Sequence, residues 1–154
     1  MAAHALERRS LRTGPGTYAL VITLDRPRTI VIGRRGRFRF PAGFYLYAGS
    51  ALGPGGLAKR LERHLHADKH IHWHVDYLLE RARVVEVWTV EGSERRECAW
   101  ASAALRLPGA RIAAPRFGAS DCQCASHLIT FDRKPERNRF ALLTGDGVER
   151  WVVG

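Results

Sequence analysis

Apolar and polar positions alternate through the first third of the chain in a way that predicts β-structure. Residues 17–24 (TYALVITL) are rich in β-branched and aromatic side chains. Residues 29–40 repeat this pattern on either side of the turn GRRG at 33–36, and a further run, GFYLYAG at 43–49, ends in the glycine-rich bend SALGPGG. We therefore predict a strand, a hairpin and another strand, in that order.

The middle of the chain changes to helical spacing. Leu57, Leu61 and Leu65 recur every four residues, which places them on one stripe of a helix. HWHVDYLLERA (72–82) predicts a second helix, and VVEVWTV (84–90) predicts a strand. SERRECAWASAALRL (93–107) predicts a third helix, with Ser93 as a partial N-cap.

The last third predicts less regular structure and completes a single domain. It holds the compact run FGASDCQCASHLITF (117–131) and a hairpin-like segment at 139–153 around Gly145-Asp146-Gly147. Residues 1–13 are charged and aperiodic, so we predict a flexible N-terminal arm followed by one domain over residues 14–154. The expected fold class is α/β (α+β): a small mixed or antiparallel sheet flanked by helices, with a hairpin insertion and a β-rich C-terminal extension.

Charge points to a polyanionic partner. The 154 residues include 25 Lys+Arg against 15 Asp+Glu, for a formal net charge of +10. A domain this basic attracts phosphates, because neutralising them releases condensed counterions. Most of the cations are arginines, whose planar fork suits phosphate oxygens, although an Arg- and Ala-rich coding bias explains the choice of Arg over Lys equally well.

Compartment and redox state follow from what the sequence lacks. The first residues contain no apolar signal-peptide core, and no run approaches the roughly 20 apolar residues that span a bilayer. We therefore expect a cytoplasmic protein that does not associate with membranes. Its three cysteines, Cys98, Cys122 and Cys124, are expected to be thiols or metal ligands.

Three motifs carry the candidate chemistry. GTY at 16–18 begins the first strand, YAG at 47–49 closes a later one, and Arg60 and His64 lie one turn apart on the next helix. Together with YLYAGSALGPGGLAKRLERHL, HIHWHVDYLL and FGASDCQCASHL, they resemble the GIY-YIG nuclease superfamily and, within it, the Uri-type endonucleases. The resemblance covers about residues 16–131. Thr17 and Ala48 stand where that family usually has Ile, whereas both tyrosines and both outer glycines are kept.

The resemblance implies a metal-dependent hydrolase that cuts phosphodiester bonds in DNA. Tyr18 and Tyr47 would stand near the nucleophilic water, one of them as general base. Arg60 would neutralise charge on the scissile phosphate. His64 would hydrogen-bond the phosphate or relay a proton.

The family also places one metal-binding glutamate on the helix after its third strand, and Glu97 is the best match here. At helical spacing Glu97 leads to Ala101 and Ala104, a small-residue face able to lie close to the sheet. A carboxylate there suits one Mg²⁺ or Mn²⁺ ion. Glu94, one turn earlier, is the alternative ligand.

Further residues are expected to contact the substrate or to bind a second metal. The expected substrate-binding residues are Gly49, Ser50, Lys59, Arg63, His74 and Asp76. The trio His70, His72 and His74 suits a transition metal, but a helix would separate His72 from the other two, so we favour an active-site rim.

The segment 121–127 has ligand chemistry of its own. Cys122, Cys124 and His127 could hold a structural Zn²⁺, with Asp121 or a water completing the tetrahedron. The C-x-C spacing is tighter than the usual knuckle, so a buried cysteine-lined turn is the favoured interpretation.

The arginine-rich hairpin also has two interpretations. Arg34, Arg35, Arg37 and Arg39 could protect an edge strand from aggregation. The net charge favours the other interpretation, a phosphate-tracking arm.

The leading functional hypothesis is an endonuclease acting on structured, damaged or single-stranded DNA, with a DNA-repair protein as a candidate second partner. The alternatives are a non-catalytic nucleic-acid-binding module on the same scaffold and a zinc-dependent regulator that uses residues 121–127.

Overall fold

Four antiparallel pairings and one short parallel pairing build the main sheet. The computed structural model describes residues 13–66 and 70–153, together with the backbone of residues 4–5. Within these residues the elements are β1 (His4–Ala5), β2 (Gly16–Leu24), β3 (Arg28–Val31), β4 (Arg37–Phe40), β5 (Gly43–Ala51), α1 (Gly56–Leu65), α2 (His74–Leu79), β6 (Arg83–Glu91), α3 (Glu97–Leu105), β7 (Leu128–Phe131), α4 (Arg137–Thr144) and β8 (Glu149–Val152). The sheet order is β1-β8-β6-β2-β5-β7, and β3 and β4 form a separate hairpin.

The sheet separates two hydrophobic cores. Side chains alternate between the two faces of a strand, so β2 sends Tyr18 and Leu20 to one face and Ala19 and Val21 to the other. The first face packs against α1, α2 and the β3–β4 hairpin. The second packs against α3 and α4. Polar groups from both layers can therefore meet only at an edge of the sheet.

The predicted fold class is confirmed, as is the order of elements through α3. The hairpin at 29–40 forms, and Leu57 and Leu61 are buried on the predicted stripe of α1. None of the helices in the described ranges has the length and apolar character to cross a membrane.

The predicted C-terminal hairpin is wrong in its first half, where the chain forms α4. Phe140 is completely buried between the rings of Trp88 and Trp100, and helical winding delivers it there. Gly145 has a φ of 72° and ends the helix by donating to the Ala141 carbonyl. The glycine is a helix C-cap, not a hairpin turn.

Two predicted helix starts are also wrong. α3 begins at Glu97 rather than near Ser93, because Arg96 and the Trp100 indole are bound by Asp146 from the chain's C-terminal segment. α2 begins at His74. The Asp76 carboxylate accepts hydrogen bonds from the backbone N–H groups of His72 and Trp73, the two residues before the helix. Both starts depend on side-chain hydrogen bonds.

The predicted N-terminal arm, residues 1–13, lies almost entirely outside the described residues. Within it, the backbone of β1 pairs with β8.

Candidate active site at the edge of the sheet

β7 is shorter than its neighbour β5, and a cavity lies at the edge of the sheet where β7 no longer covers β5. β7 pairs with β5 over residues 44–47, whereas β5 continues to Ala51. A cavity of about 450 Å³ lies beside this end of β5, and we call it the edge cavity. It is lined from the α1 side by Tyr18, Tyr47 and Arg60, and from the α3 side by Glu97. Four of the five predicted catalytic residues thus line one hollow.

The two outer glycines of the tyrosine motifs have packing reasons. Gly49 lies opposite Tyr18 on the neighbouring strand, and a Cβ at Gly49 would stand 2.5 Å from the Tyr18 Oη. A Cβ at Gly16 would stand 2.5 Å from Leu57 of α1. The first glycine lets the phenol lie flat over β5, and the second lets the helix approach the sheet.

The fifth predicted residue, His64, contacts the cavity through Tyr18. The Tyr18 Oη and the His64 Nε2 are 2.6 Å apart, a strong hydrogen bond between buried groups. Burial raises the pKa of Tyr18 to about 12, even though the Arg60 guanidinium acts to lower it. Burial likewise raises the pKa of Tyr47 well above its usual value. Both phenols are therefore protonated at neutral pH.

Arg60 is fixed at the cavity wall by two contacts. Its Nη1 donates to the Ser50 carbonyl at 2.8 Å, and its guanidinium lies 4.3 Å from the Trp73 ring centroid. Ser50 belongs to β5 and Trp73 precedes α2. The cation is thus positioned by both neighbours of α1.

Glu97, not Glu94, points into the cavity. Glu97 is the first residue of α3, its side chain is 18% exposed, and it accepts a hydrogen bond from Arg95 at 2.8 Å. Glu94 is 79% exposed and pairs with Arg96. Behind Glu97, Ala101 and Ala104 are buried against the sheet, as the small-residue face predicts.

The predicted substrate-binding residues fall into three places. Gly49 and Ser50 line the edge cavity. Lys59 and Arg63 line a neighbouring groove of about 580 Å³, which also contains Arg60 and Trp73; we call it the Trp73 groove. The remaining two, His74 and Asp76, are engaged inside the protein.

Asp76 is completely buried and holds α1 against α2. Its carboxylate binds the Arg63 guanidinium at 3.0 and 3.2 Å as well as two backbone N–H groups. Burial raises the pKa of Asp76, but these hydrogen bonds outweigh it, and the net pKa is lowered. His74 accepts a hydrogen bond from the Gly118 N–H at 2.9 Å and packs on Phe117.

The three histidines at 70–74 do not share a helix. His70 and His72 precede α2 and are exposed, so the helical spacing argument for the trio is wrong. Within the described ranges, the group that could hold a metal through three or more His, Cys, Asp or Glu side chains is a different one.

That group is Cys98, Cys122, Cys124 and His127, which we call the thiol cluster. Its four candidate ligand atoms lie within 4.8 Å of one another. The expected fourth ligand, Asp121, does not belong to it; Cys98 from α3 takes that place. Sequence spacing could not find Cys98, because it is far along the chain from the other three. Cys98, Cys122 and His127 also line the edge cavity.

Comparison with protein-family models matches residues 17–146 to the domain of unknown function DUF123. The chain belongs to this family. No curated protein and no solved structure matches the chain.

Proposed function

We propose that this protein is a metal-dependent DNA endonuclease of the GIY-YIG superfamily, close to the Uri-type enzymes. The proposal combines the sequence resemblance with one structural observation. Two tyrosines, an arginine and a glutamate from opposite layers line the same cavity of about 450 Å³. Packing alone gives no reason to gather these groups around open space.

The residues present fit one hard divalent ion. Glu97 offers a carboxylate at the cavity wall, and its partner Arg95 is 66% exposed, so water can take the place of this ion pair when a metal binds. The cavity has room for several waters, each about 30 Å³ in the liquid, and Mg²⁺ usually keeps several waters when bound. Glu97 would hold the ion, which would supply charge neutralisation and a more acidic water.

Tyr18 and His64 form a route for the proton released in hydrolysis. A water oxygen attacks phosphorus, the new P–O bond forms, and the bond to the deoxyribose oxygen breaks. The leaving oxygen takes a proton from a solvent water and departs as a hydroxyl group. Since the pKa of Tyr18 is about 12, the phenol is not a base on its own. It accepts the water proton while passing its own proton to His64 Nε2 across 2.6 Å.

Arg60 neutralises the charge that develops during this step. Its guanidinium already interacts electrostatically with Tyr18 and is held by Ser50 and Trp73. A fixed cation beside the reacting phosphate stabilises the transition state without reorganising.

Two features support DNA as the proposed substrate: the positive net charge of the chain and the composition of the Trp73 groove. The formal net charge is +10, and the Trp73 groove next to the edge cavity combines Lys59, Arg60 and Arg63 with an aromatic ring. The Arg60 and Arg63 guanidiniums each lie 4.3 Å from the Trp73 ring centroid. A groove of cations and an aromatic suits a nucleic acid with unpaired bases.

A cleavage assay tests the proposal. Labelled single-stranded, duplex and flap DNA are incubated with Mg²⁺, Mn²⁺ or EDTA, using wild type, Glu97→Gln and Glu94→Gln. We expect metal-dependent cutting, lost on the order of 100-fold or more in Glu97→Gln and kept in Glu94→Gln. Cutting that survives Glu97→Gln, or requires no metal, would reject the proposed role of Glu97.

A non-catalytic nucleic-acid-binding module is the second candidate, and the ion pair of Glu97 with Arg95 favours it. This contact occupies the carboxylate that a metal would need. The module would bind DNA in a salt-dependent way, would cut no substrate with any metal, and would bind equally well as Glu97→Gln.

A further inference from the structure

Two segments that are distant in the sequence, the start of α3 and the loop before β7, bring the thiol cluster together. Cys98 comes from the first turn of α3, Cys122 and Cys124 from the loop before β7, and His127 from the residue preceding β7. The Cys98 Sγ is 3.8 Å from the His127 Nε2, and the Cys122 Sγ is 3.4 Å from the same nitrogen. All three cysteines are free thiols.

These separations match a tetrahedral metal site. Zn–S bonds of about 2.3 Å and Zn–N bonds of about 2.0 Å place sulfur and nitrogen ligands roughly 3.5 Å apart and two sulfurs roughly 3.8 Å apart. The observed sulfur–nitrogen distances of 3.4 and 3.8 Å lie on either side of the expected sulfur–nitrogen distance. All four ligand atoms lie within 4.8 Å of one another, which is compatible with the expected sulfur–sulfur distance. The cysteines are partly exposed, so an ion can reach them.

The loop over residues 116–127, which carries three of the four ligands, is held in place by side-chain hydrogen bonds rather than by a helix or strand. The Arg116 guanidinium donates to the carbonyls of Ala119, Cys122 and Cys124 at 2.6–2.7 Å. Arg116 also adopts a φ of 63°, a left-handed conformation that a side-chain-bearing residue rarely takes. Strain of this kind is kept where the surrounding structure fixes a required geometry. The guanidinium also compensates the negative charge of thiolates.

A simple buried turn does not account for this arrangement. His127 is buried and turns its Nε2 towards two thiols. Cys98 and Cys122 line the edge cavity beside Glu97 and Asp121 rather than an apolar core. Soft thiolates with one imidazole are the ligand set that selects zinc over hard ions such as Mg²⁺.

We propose that Cys98, Cys122, Cys124 and His127 bind one zinc-type ion in a closed four-ligand structural site. The ion ties the first turn of α3 to the 116–127 loop and to the start of β7. Because Cys98 follows Glu97 directly, the bound ion also fixes the position of Glu97 at the wall of the edge cavity. Binding exchanges the thiol protons for the metal, and those protons go to solvent.

Metal analysis of the full-length protein tests the site. Protein purified under reducing conditions is analysed for zinc as wild type, Cys98→Ala and Asp121→Ala. We expect about one zinc per chain in wild type and in Asp121→Ala, and at least about a 100-fold weaker zinc affinity in Cys98→Ala. Zinc retained by Cys98→Ala and lost by Asp121→Ala would overturn the ligand set.

Cobalt titration keeps the proposal testable if Cys98→Ala does not fold. The chelated, reduced wild-type protein is titrated with Co²⁺ and then with Zn²⁺. We expect the visible and thiolate charge-transfer bands of a tetrahedral sulfur-rich site, removed by Zn²⁺. A protein that binds neither ion, or whose thiols pair as a disulfide and take up no metal after reduction, would overturn the site.

Neither measurement involves DNA or catalysis. A zinc-loaded protein without nuclease activity would uphold the metal site and reject only the proposed function.

Discussion

Gly49 lacks a side chain because the Tyr18 phenol occupies the space beside its Cα. A Cβ would stand 2.5 Å from the Tyr18 Oη, whereas a Cβ at Gly53 would meet nothing within 4 Å. We expect Gly49→Ala to destabilise the protein by about 1–3 kcal/mol, as overpacking does, and Gly53→Ala to have little effect. Urea unfolding compares the two variants. Equal stability of both would show that the phenol moves aside freely.

The buried phenols predict a loss of stability in alkali. Below pH 10 Tyr18 is protonated in both states; as the pH rises from 10 to 12 the unfolded phenol ionises while the folded one does not. The unfolded state is therefore favoured, by up to about 3 kcal/mol for Tyr18.

Removing the hydroxyl isolates this contribution. We expect Tyr18→Phe to show a smaller fall in unfolding free energy between pH 9 and about pH 11 than wild type. Tyr77→Phe, which removes the hydroxyl of a half-buried tyrosine in α2, is the control. The quantity compared is the slope of the unfolding free energy against pH. The unfolding free energy at neutral pH is not compared, because loss of the hydrogen bond to His64 also lowers it. Parallel slopes would contradict the burial of an ionisable phenol at this position.

At the level of elements, α1 and α2 depend on one buried carboxylate. Asp76 accepts from Arg63 of α1 and from the backbone at the start of α2. Asp76→Ala leaves Arg63 without this partner, and breaking such a pair typically costs about 3–5 kcal/mol. Chemical denaturation should show this loss, with the exposed Glu80→Ala near wild type.

The same carboxylate gives a test with pH. Its pKa is lowered by its hydrogen bonds, so its contribution is present above the unfolded pKa and disappears as the pH falls through the folded one. Wild type should therefore lose more stability than Asp76→Ala on acidification below about pH 4. An identical acid response would show that Asp76 does not anchor the two helices.

Elements with local signals could be predicted, and elements fixed by distant partners could not. Leu57 and Leu61 reveal α1 through spacing alone. The sequence predicts Asp146 as a turn residue, yet it binds Arg96 and the Trp100 indole and so decides where α3 begins. Nothing in the neighbourhood of Asp146 in the sequence indicates those partners.

At the scale of the whole molecule, the charge distribution predicts salt-dependent DNA binding. The β3–β4 hairpin carries exposed arginines on the layer that contains Tyr18, and Arg35 bonds to the Pro115 carbonyl before the 116–127 loop. If the hairpin follows the phosphate backbone, each lost contact lowers the salt slope of binding by about 1.

A charge-matched comparison tests this role. Arg37→Ala/Arg39→Ala removes two hairpin cations. Arg106→Ala/Arg139→Ala removes two exposed cations elsewhere, at the residue after α3 and within α4. We expect the slope of log affinity against log salt to fall by about 2 in the first pair and to stay near wild type in the second. Similar losses in both would assign binding to overall charge.

In the candidate site, too, residues marked by local motifs could be predicted, whereas a residue placed by contacts distant in the sequence could not. Tyr18, Tyr47, Arg60 and Glu97 could be selected because motifs mark them, and the cavity gathers all four. Cys98 could be named only as one of three candidate thiols. Its position beside Cys122, Cys124 and His127 could not be predicted, since these partners lie beyond residue 120. Its position follows from how α3 docks on the sheet.

The shortness of β7 makes the site dependent on both halves of the molecule. An opening beside the end of β5 is where a carboxylate from one layer reaches phenols and a guanidinium from the other. A chain with only the α1 layer formed would have Tyr18, Tyr47 and Arg60 beside this opening but would lack Glu97. Under the proposed function, an incompletely folded copy could grip a strand but not sever it.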